Sequence, residues 1–459
     1  MKTIFLTIFE GTEAKNILRT EIFPTLMRCA DIRLVILVKS AERAEYHRRE
    51  FNDSRITYEV VAPQELGGFD GFFSRLKFTL LRTTTSEFRR RSNFRRYPKY
   101  ASYYWGLFLN RLLARPFFVR LARQLDFILV KDQGYGEIFD RYKPDLVFMA
   151  NLFEDTEINL LREAKKRGIR TVAMINSWDK TTARCVLRLM PHKIIVWNDS
   201  VKNAIIKYNL AEEKDILVSG IPQYDGYFNF RPQPREEFFK SIKSVPDRKL
   251  LVYSPVGAGP AGDADWEVID MLHRLNDAGK FVEKVSILVR FPPNDFVDER
   301  ELKKRPYLLY NYPGIRFSKK RGIDWDMTFP ELNHLKNTLH YMAIMICYSS
   351  SISADAAVFN KPVINLYFDI KPARPPFLSA TEYYQFEHYQ DIVKTGGIRL
   401  VKNEAELVLW VNNYLKNPEL DSEGRRRLVE EQCKYTDGRA GERIGGYVLG
   451  MLVNTIVYP

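Results

Sequence analysis

The sequence has few cysteines and no long apolar run. Its four cysteines, at positions 29, 185, 347 and 433, are too far apart for a zinc ribbon or a CxxC redox pair. A chain of 459 residues can bury a large core without disulfides, so a reducing cytoplasm is the expected compartment. No segment reaches the roughly 18 to 20 consecutive apolar residues that span a bilayer. We therefore expect a soluble or peripherally attached protein.

Positive charge is concentrated in one part of the chain. The formal net charge is +13, which predicts an acidic partner. Between Arg75 and Arg123, basic residues are interleaved with aromatic ones. This segment is expected either to meet an anionic membrane or a lipid-diphosphate acceptor, or to form a solvated helical hairpin whose aromatic side chains pack on the sheet. No nucleic-acid-binding motif accompanies the charge, so no nucleic acid partner is expected.

Short β-branched runs alternate with helical segments in both halves of the chain, which predicts an α/β protein with two parallel sheets. The first Rossmann-like domain is expected over 1–225, with one helix from Glu13 to Cys29 and an insertion over about 68–142. A proline-rich linker is predicted over 226–247 and a second Rossmann-like domain over 248–435. Residues 436–459 are expected to form a helix that returns to the first domain.

A predicted buried strand runs directly into three serines that open a helix, Ser349, Ser350 and Ser351. Free backbone N–H groups, hydroxyls and the positive end of the helix meet in such a turn, where a phosphate binds readily. Serines also cap helices, but a cap needs only one of them. The three serines therefore predict a phosphate-binding turn.

The same segment resembles the donor-binding segment of GT-B glycosyltransferases, nearest to CDP-glycerol glycerophosphotransferase-like enzymes and to capsule or surface-polysaccharide glycosyltransferases. The resemblance lies in the serines, in Asp355 one helical turn later, and in the following Asn-Lys-Pro-Val-Ile over 360–364. It implies the GT-B fold, in which two Rossmann-like domains face across a cleft. It also implies that the serines contact the donor diphosphate and that Asp355 meets the ribose hydroxyls.

Two further segments are similar to the same family. Val285 to Pro293 occupies the place of the family's strand followed by a basic-His-Pro turn, and Arg290 is expected to clamp a phosphate. Phe291 stands where the family has a histidine on which the teichoic-acid polymerases rely, and this departure favours a sugar transferase. Residues 218–225 resemble the family's Gly-x-Pro-x-x-Asp turn, which leads into the linker.

Residues 257–262 fit the GxGxxG pattern of dinucleotide-binding folds. However, three residues separate the preceding strand from the first glycine, and Pro260 stiffens the loop. We therefore interpret the segment as a glycine loop at the cleft, where Gly257 and Gly259 approach the donor, and not as a dehydrogenase site.

The catalytic base must deprotonate an acceptor hydroxyl, and we expect it among the carboxylates that follow strands of the first domain. The candidates, in order, are Asp155, Glu10 and Asp179. Two of these carboxylates also have structural interpretations: Asp155 as a helix cap and Asp179 as a turn former.

No metal site and no cofactor are predicted. The six histidines form no HxxxH or HExxH pair. Two DxD sequences, at 263–265 and 324–326, resemble the metal-binding motif of the other glycosyltransferase fold, for which the two-domain pattern is wrong. The GT-B resemblance implies metal-independent chemistry, with a nucleotide sugar as donor substrate.

These features predict a glycosyltransferase that moves a sugar from a nucleotide-activated donor to a glycan or lipid-linked acceptor in surface polysaccharide biosynthesis. Three alternatives remain open. They are a polyol-phosphate transferase of the CDP-glycerol type, a sugar-nucleotide 2-epimerase, which needs no acceptor, and a non-enzymatic module that binds polyanions or membranes.

Overall fold

The computed structural model describes residues 1–131, 134–257, 264–322, 324–371 and 379–453. The chain divides into two compact units. Unit 1 contains Met1–Asp225 together with the residues from Cys433 onward, and unit 2 contains Gly226–Gln432.

Unit 1 is built on a seven-stranded sheet in the order β3-β2-β1-β4-β5-β6-β7, and every neighbouring pair is parallel. The central strands are apolar throughout because helices cover both faces of such a sheet. The strands are β1 (Lys2–Thr7), β2 (Ile32–Val38), β3 (Ile56–Val60), β4 (Leu146–Met149), β5 (Arg170–Met174), β6 (Lys193–Val196) and β7 (Ile216–Val218).

The helices described in unit 1 cover the sheet and form the insertion. They are α1 (Gly11–Glu13), a π-helix (Ala14–Leu18), α2 (Ile22–Met27), α3 (Ala41–Glu50), α4 (Gly68–Thr79), α5 (Thr84–Arg96), α6 (Tyr100–Leu113), α7 (Pro116–Leu129), α8 (Gly136–Tyr142), α9 (Asp155–Lys166), α10 (Lys180–Ala183) and α11 (Asp199–Asn209). The chain then passes through α12 (Pro222–Phe228) into unit 2.

Unit 2 contains a second parallel sheet, in the order β10-β9-β8-β13-β14-β15. Its strands are β8 (Lys249–Ser254), β9 (Val285–Arg290), β10 (Leu309–Asn311), β13 (Met342–Cys347), β14 (Val363–Leu366) and β15 (Arg399–Val401). Two short strands, β11 (Ile315–Arg316) and β12 (Trp325–Asp326), form a separate antiparallel sheet. Its helices are α13 (Arg235–Ser241), α14 (Ala264–Asp277), α15 (Glu299–Lys303), α16 (Phe329–Tyr341), α17 (Ile352–Val358), α18 (Glu387–Lys394), α19 (Glu404–Lys416) and α20 (Ser422–Cys433). The predicted pair of Rossmann-like sheets is confirmed.

The last described helix, α21 (Ala440–Gly450), belongs to unit 1 and packs on α2. Two of its glycines permit this contact, since a Cβ on Gly445 would stand 2.7 Å from Thr25. Asp225 holds the start of α21 by accepting hydrogen bonds from the amides of Ala440 and Gly441, at 2.9 and 2.6 Å. The aspartate of the Gly-x-Pro-x-x-Asp turn thus serves to anchor this helix.

One local expectation was wrong. The single helix expected from Glu13 to Cys29 is broken into α1, the π-helix and α2, because Pro24 has no N–H and its ring would clash with the carbonyl of Thr20 in a continuous helix. Two of the prolines in the segment 222–246 lie at helix starts. Pro222 is the first residue of α12 and Pro234 is the N-cap of α13.

Buried ion pairs hold the insertion against the sheet of unit 1. Arg188 contacts Asp70 of α4 at 2.6 Å and Asp126 of α7 at 2.7 Å, and Asp126 also pairs with Arg162 of α9. All four side chains are almost completely buried. Removal of one partner would leave an uncompensated charge in the core, so the network fixes where the insertion sits.

Candidate functional site

The serine turn lies at the reversal point of the sheet in unit 2. β8 and β13 are neighbours although four strands lie between them in the chain, so the chain order reverses between them. Ligands of open parallel sheets bind beyond the carboxyl ends of the strands at such a point. Ser349, Ser350 and Ser351 directly follow the carboxyl end of β13 and precede α17.

The three serine hydroxyls are not used by the fold. Ser351 is the N-cap residue of α17, yet its side chain makes no cap hydrogen bond. Within the described residues, no hydrogen bond of the Ser349, Ser350 or Ser351 side chains is found. Ser349 and Ser350 are half-buried and Ser351 is exposed. The hydroxyls are therefore available to a ligand, and the phosphate-binding role of the turn stays a prediction.

A buried polar network joins the residues on either side of this turn to β14 and α18. Tyr389 Oη donates to Asn365 Oδ1 at 2.6 Å, and Asn365 Nδ2 donates to Ser353 Oγ at 3.3 Å and to Cys347 Sγ at 3.1 Å. Satisfied buried networks of this kind fix one local conformation. Burial raises the pKa of the Cys347 thiol to about 12, so this cysteine is neutral and serves the network, not covalent chemistry.

Arg290 is a buried cation at the carboxyl end of β9. Its side chain is only 5% exposed, and Nη1 has no hydrogen-bond partner within the described residues. Burial lowers the pKa of Arg290 to about 10, so the guanidinium remains charged at neutral pH. Burial of a charge with an unsatisfied donor is costly, and an anionic ligand would accept a hydrogen bond from Nη1.

Asp355 lies in α17, one turn after the serines. Tyr227 Oη donates a 2.6 Å hydrogen bond to Asp355 Oδ1, and burial followed by the charge of Asp355 raises the pKa of Tyr227. The negative charge of Asp355 interacts with Arg290 and favours its charged form, so the two side chains lie near each other. The contact with ribose hydroxyls implied by the resemblance remains a prediction.

The glycine loop is organised by an aspartate. Asp265 accepts hydrogen bonds from the amide of Gly257 at 2.8 Å and from Tyr253 Oη at 2.6 Å. Gly257 has φ +94°, and a Cβ there would stand 2.0 Å from Asp295 Oδ2, so only glycine fits. The Gly257 amide is thus engaged within the protein, while Gly259 lies outside the described residues. Asp265, part of the first DxD sequence, is a buried support of this loop.

A cavity of about 470 Å³ opens beside the same strand ends. Aromatic side chains of Trp266, Phe291 and Phe296 line it together with Asp265 and Asp295. Phe291, which replaces the histidine of the resembling family, is therefore a wall of a cavity at the carboxyl edge of the sheet. The charged side chains of Asp298, Arg300, Glu301 and Lys304 also line it, so the cavity is mixed in polarity.

The three predicted base candidates of unit 1 all lie beyond strand ends, but each has partners. Asp155 accepts from Ser74 Oγ at 2.7 Å and pairs with Lys77 at 2.9 Å and Arg188 at 2.8 Å. Burial opposes its ionisation, but Lys77, Ser74 and Arg188 outweigh burial and lower the pKa of Asp155. Glu10 pairs with Lys39 at 3.3 Å, and Asp179 accepts from Ser177.

Replacement of Asp155 by asparagine tests whether this residue serves the fold or the reaction. The fold role predicts a loss of about 1 to 3 kcal/mol in the free energy of unfolding, because Lys77 and Arg188 lose a charged partner, and turnover within about twofold of wild type. Urea unfolding and steady-state turnover measure the two quantities. Unchanged stability with turnover lowered a hundredfold would return Asp155 to the position of catalytic base.

A second group of polar side chains at the carboxyl edge of unit 1 was not anticipated. Glu13 is 1% exposed, and its Oε2 accepts from the amides of Phe9 and Glu10 at 2.5 and 3.0 Å. Burial, followed by the charge of Glu10, raises the pKa of Glu13 to about 7. Glu157, fully buried, accepts from Thr7 Oγ1, and burial raises its pKa as well.

Buried polar atoms of both glutamates, and of two residues that follow β5, lack partners within the described residues. Within the described residues, no hydrogen bond reaches Glu13 Oε1, Glu157 Oε2, Thr181 Oγ1 or either side-chain polar atom of Asn176. Lys180 is attracted by Glu13, although burial lowers its own pKa. Unsatisfied buried polar atoms are rare in folded proteins, and a cluster of them at a sheet edge indicates a place where ligand or water atoms bind.

Sequence reasoning missed Glu13 because it was assigned to the first residue of a helix. The signal that could have found it is its distance from β1: it follows the strand closely, as Glu10 does. The charged groups Glu157 and Lys180, which interact with it, are far away in sequence. Within the described residues, no cluster of three or more His, Cys, Asp or Glu side chains suited to a metal ion is found.

Comparison with known proteins identifies the fold as GT-B. The S. aureus MnaA–UDP co-structure superposes with a TM-score of 0.53 at 12% identity, over 100% of this chain and 99% of that one. The Neisseria meningitidis UDP-GlcNAc 2-epimerase bound to UDP-GlcNAc gives 0.54 at 12% identity, over 99% and 100%. The wall teichoic acid polymerase TagF gives 0.50 at 12% identity, over 100% and 90%.

The sequence itself matches one family model. Residues 307–450 match that of CDP-glycerol:poly(glycerophosphate) glycerophosphotransferases, which is about a third of the chain and includes the serine turn. No curated protein sequence matches significantly. The predicted resemblance to GT-B proteins is thus confirmed. In the described part of the chain, no helix combines the length and apolarity needed to cross a bilayer.

Proposed function

We propose that the protein is a glycosyltransferase that binds a nucleotide-activated sugar through unit 2 and transfers the sugar to a glycan or lipid-linked acceptor in surface polysaccharide biosynthesis. The observation that carries the proposal is Arg290, a buried guanidinium with an unpaired Nη1 within the described residues, on the same sheet edge as the serine turn. A diphosphate supplies the anionic oxygens that both lack. Two of the solved structures named above contain UDP and UDP-GlcNAc, and the third was soaked with CDPG, which supports a nucleotide donor.

In the proposed step, the acceptor oxygen attacks the activated carbon of the donor and the bond from that carbon to phosphate breaks. The leaving nucleoside phosphate takes the electron pair, and Arg290 and the serine hydroxyls stabilise its charge. The acceptor proton passes to a carboxylate of unit 1. These groups supply the electrostatic stabilisation directly, and we propose that neither a metal ion nor a cofactor takes part.

We propose Glu13 as this carboxylate, ahead of Asp155, Glu10 and Asp179. A general base works best when its pKa lies near the working pH, and burial raises the pKa of Glu13 to about 7. Its Oε1 has no partner within the described residues, whereas Asp155 is held by three polar side chains and Glu10 by Lys39.

The experiment that tests this function is a thermal-shift panel of UDP-, GDP-, CMP-, CDP- and dTDP-linked donors, followed by product analysis with and without acceptor. A bound donor raises the melting temperature. A glycosyltransferase leaves the donor intact, or hydrolyses it slowly, until acceptor is added. Interconversion of the donor alone would show a 2-epimerase instead, and the absence of any shift would contradict a donor site.

A polyol-phosphate transferase is the second candidate, because the matching family model is that of glycerophosphotransferases. Phe291 argues against it, since the resembling polymerases have a histidine there. The panel separates the two: CDP-glycerol consumption in the presence of acceptor would establish the second candidate, and sugar transfer the first.

The serine turn yields a prediction of its own. The double substitution Ser350→Ala with Ser351→Ala should weaken donor binding about 10- to 100-fold, because two hydroxyl donors to the diphosphate are lost. Stability should change little, since neither hydroxyl has a hydrogen-bond partner within the described residues. Calorimetric titration measures the affinity, and Ser353→Ala serves as a contrast, because its buried hydroxyl contacts Tyr389 at 3.0 Å and its loss should reduce stability. Unchanged affinity in the double variant would remove the serines from the site.

The proposed reaction uses a cytoplasmic nucleotide donor, so we place the enzyme in the cytoplasm. A lipid-linked acceptor would require work at the inner face of the cell membrane. The basic segment 75–123 is the part of the chain that fits such a location.

A further inference from the structure

The insertion of unit 1 concentrates the positive charge of the whole chain. Residues 68–129, which contain α4 to α7, include thirteen basic and three acidic residues, a net charge of +10 out of +13 for the protein. Two of the three acidic residues, Asp70 and Asp126, are buried in ion pairs with Arg188. The outer surface of the insertion is therefore strongly basic.

Apolar side chains on the same helices are exposed in stripes. Along α7, Phe117, Leu121, Leu125 and Ile128 are 67%, 37%, 39% and 72% exposed. Their spacing of three and four residues puts them on one face of the helix. A stripe of this kind on a helix that is already packed against α4 on another side is not needed for the core of unit 1.

Helix α6 carries a second stripe, rich in aromatic residues. Its exposed members are Tyr100, Tyr104, Trp105, Phe108 and Leu112, each at least 40% exposed. The Trp105 and Phe108 rings stack on each other with centroids 5.4 Å apart. α6 and α7 are joined by only two residues, Ala114 and Arg115, and both pack on α4, so the two stripes lie on neighbouring helices of the insertion.

A cavity of about 360 Å³ lies between α5 and α6 in the same insertion. Its lining includes Arg90 and Lys99 together with Asn93, Tyr97, Ser102 and Tyr103. Burial lowers the pKa of the half-buried Arg90, which has one neutral partner, Asn110 Oδ1, at 3.2 Å. Two cations with hydroxyl and amide donors in a cavity of this size suit a phosphate headgroup.

We propose that α6 and α7 dock on the surface of an anionic phospholipid bilayer, with their apolar stripes in the interfacial region and a lipid phosphate in the cavity between α5 and α6. The proposal rests on the proposed function only because docking on a bilayer would bring the enzyme to a lipid-linked acceptor. Tryptophan and tyrosine favour the interface, and each basic residue near an anionic leaflet adds to the attraction.

Two other occupants fit the surface less well. A second copy of this chain would bring two surfaces of net charge +10 together, which is repulsive. A nucleic acid would satisfy the arginines, but the aliphatic members of the stripes, such as Leu121, Leu125 and Ile128, give neither hydrogen bonds nor base stacking. A bilayer matches both the charge and the apolar side chains.

The test is flotation of the full-length protein with phosphatidylcholine vesicles that contain or lack phosphatidylserine. We expect binding that requires phosphatidylserine, weakens with salt, and falls at least tenfold in the triple variant Trp105→Ser, Phe117→Ser, Ile128→Ser. These side chains are 62%, 67% and 72% exposed, so the fold should tolerate the changes. Leu409→Ser with Val245→Ser, two exposed apolar residues of unit 2, is the matched control and should float like wild type.

Several results would overturn the proposal. They are no flotation with anionic vesicles, equal flotation of the wild type and the triple variant, a concentration-dependent dimer that the triple variant abolishes, and single-stranded DNA binding that the same variant abolishes. Donor binding is measured on the same variants and should remain unchanged. A protein that floats but binds no donor would defeat the proposed function alone, and one that binds donor but does not float would defeat this inference alone.

Discussion

Replacing Arg290 by methionine should weaken donor binding about 100-fold and at the same time make the free protein more stable. In the free protein, the Arg290 guanidinium is 5% exposed and its Nη1 is unpaired within the described residues, so burial of this charge costs free energy. Methionine has a similar length and no charge. The free energy of unfolding should rise by about 1 to 3 kcal/mol, and the lost charge-assisted contact with phosphate should cost about 3 kcal/mol of binding.

A gain in stability together with a loss of donor affinity distinguishes a ligand-binding arginine from a structural one. Arg425 is the matched control, because it is also buried in unit 2 but donates to Asn360 Oδ1 at 2.8 Å and to the carbonyls of Leu420 and Pro418 at 2.7 and 2.8 Å. Arg425→Met should destabilise the protein and leave donor affinity unchanged. Urea unfolding and calorimetric titration of both variants measure the two quantities. Destabilisation by Arg290→Met together with wild-type affinity would mean that Arg290 supports the fold.

Glu13→Gln should lower kcat by about 100-fold or more, because glutamine cannot accept the acceptor proton. The amide oxygen can still accept the hydrogen bonds that the Phe9 and Glu10 amides give to the glutamate, so the local fold should persist. In the wild type, kcat should rise with pH through a pKa near 7, the value to which burial raises Glu13. Glutamine should remove this rising limb.

Stability should respond to Glu13 with a definite sign. The folded-state pKa of Glu13 is raised from 4.5 to about 7, so the folded protein binds this proton more tightly than the unfolded chain does. Stability should therefore fall as pH rises from about 4.5 to about 7, by up to about 3 kcal/mol for an isolated group. The charged groups that face Glu13 are Glu10, Glu157 and Lys180, and they will modify the size of the effect but not its sign. Glu13→Gln should flatten this part of the profile.

Asp225→Asn provides the matched control for the kinetic effect. Asp225 also accepts two backbone hydrogen bonds, and burial raises its pKa to about 6, but it anchors α21. Its replacement should leave the pH profile of kcat in its wild-type form. If Glu13→Gln kept wild-type kcat at all pH values, or if Asp225→Asn changed the profile equally, Glu13 would not be the base.

The parallel sheets could be predicted because their strands are apolar along their whole length and helices separate them. β1, β2, β8 and β13 are therefore visible as short apolar runs in the sequence. The serine turn could be predicted for a related reason, since three serines after such a strand have few other uses. Arg290 could be named from its position after a strand, but its lack of a partner could not.

The remaining features depend on contacts between distant segments. Glu13 interacts with Glu157 and Lys180, which are both more than 140 residues away in sequence. The ion pairs of Asp155 with Lys77 and Arg188 likewise join three separate segments, and no local pattern indicates them. The insertion was predicted to be basic and aromatic, but whether its aromatic side chains pack inward or face solvent depends on which faces α4 and its neighbours use.

We propose above all that the carboxyl edge of the sheet in unit 2 binds a nucleoside diphosphate. Calorimetric titration of the full-length protein with free UDP, CDP, GDP and dTDP, run in parallel on wild type and Arg290→Met, tests it most directly. We expect saturable binding of at least one nucleotide to wild type with a Kd between about 1 μM and 1 mM, the usual range for enzyme substrates. Binding to Arg290→Met should be about 100-fold weaker. Equal affinity of wild type and Arg290→Met, or no saturable binding of any nucleotide to wild type, would contradict it.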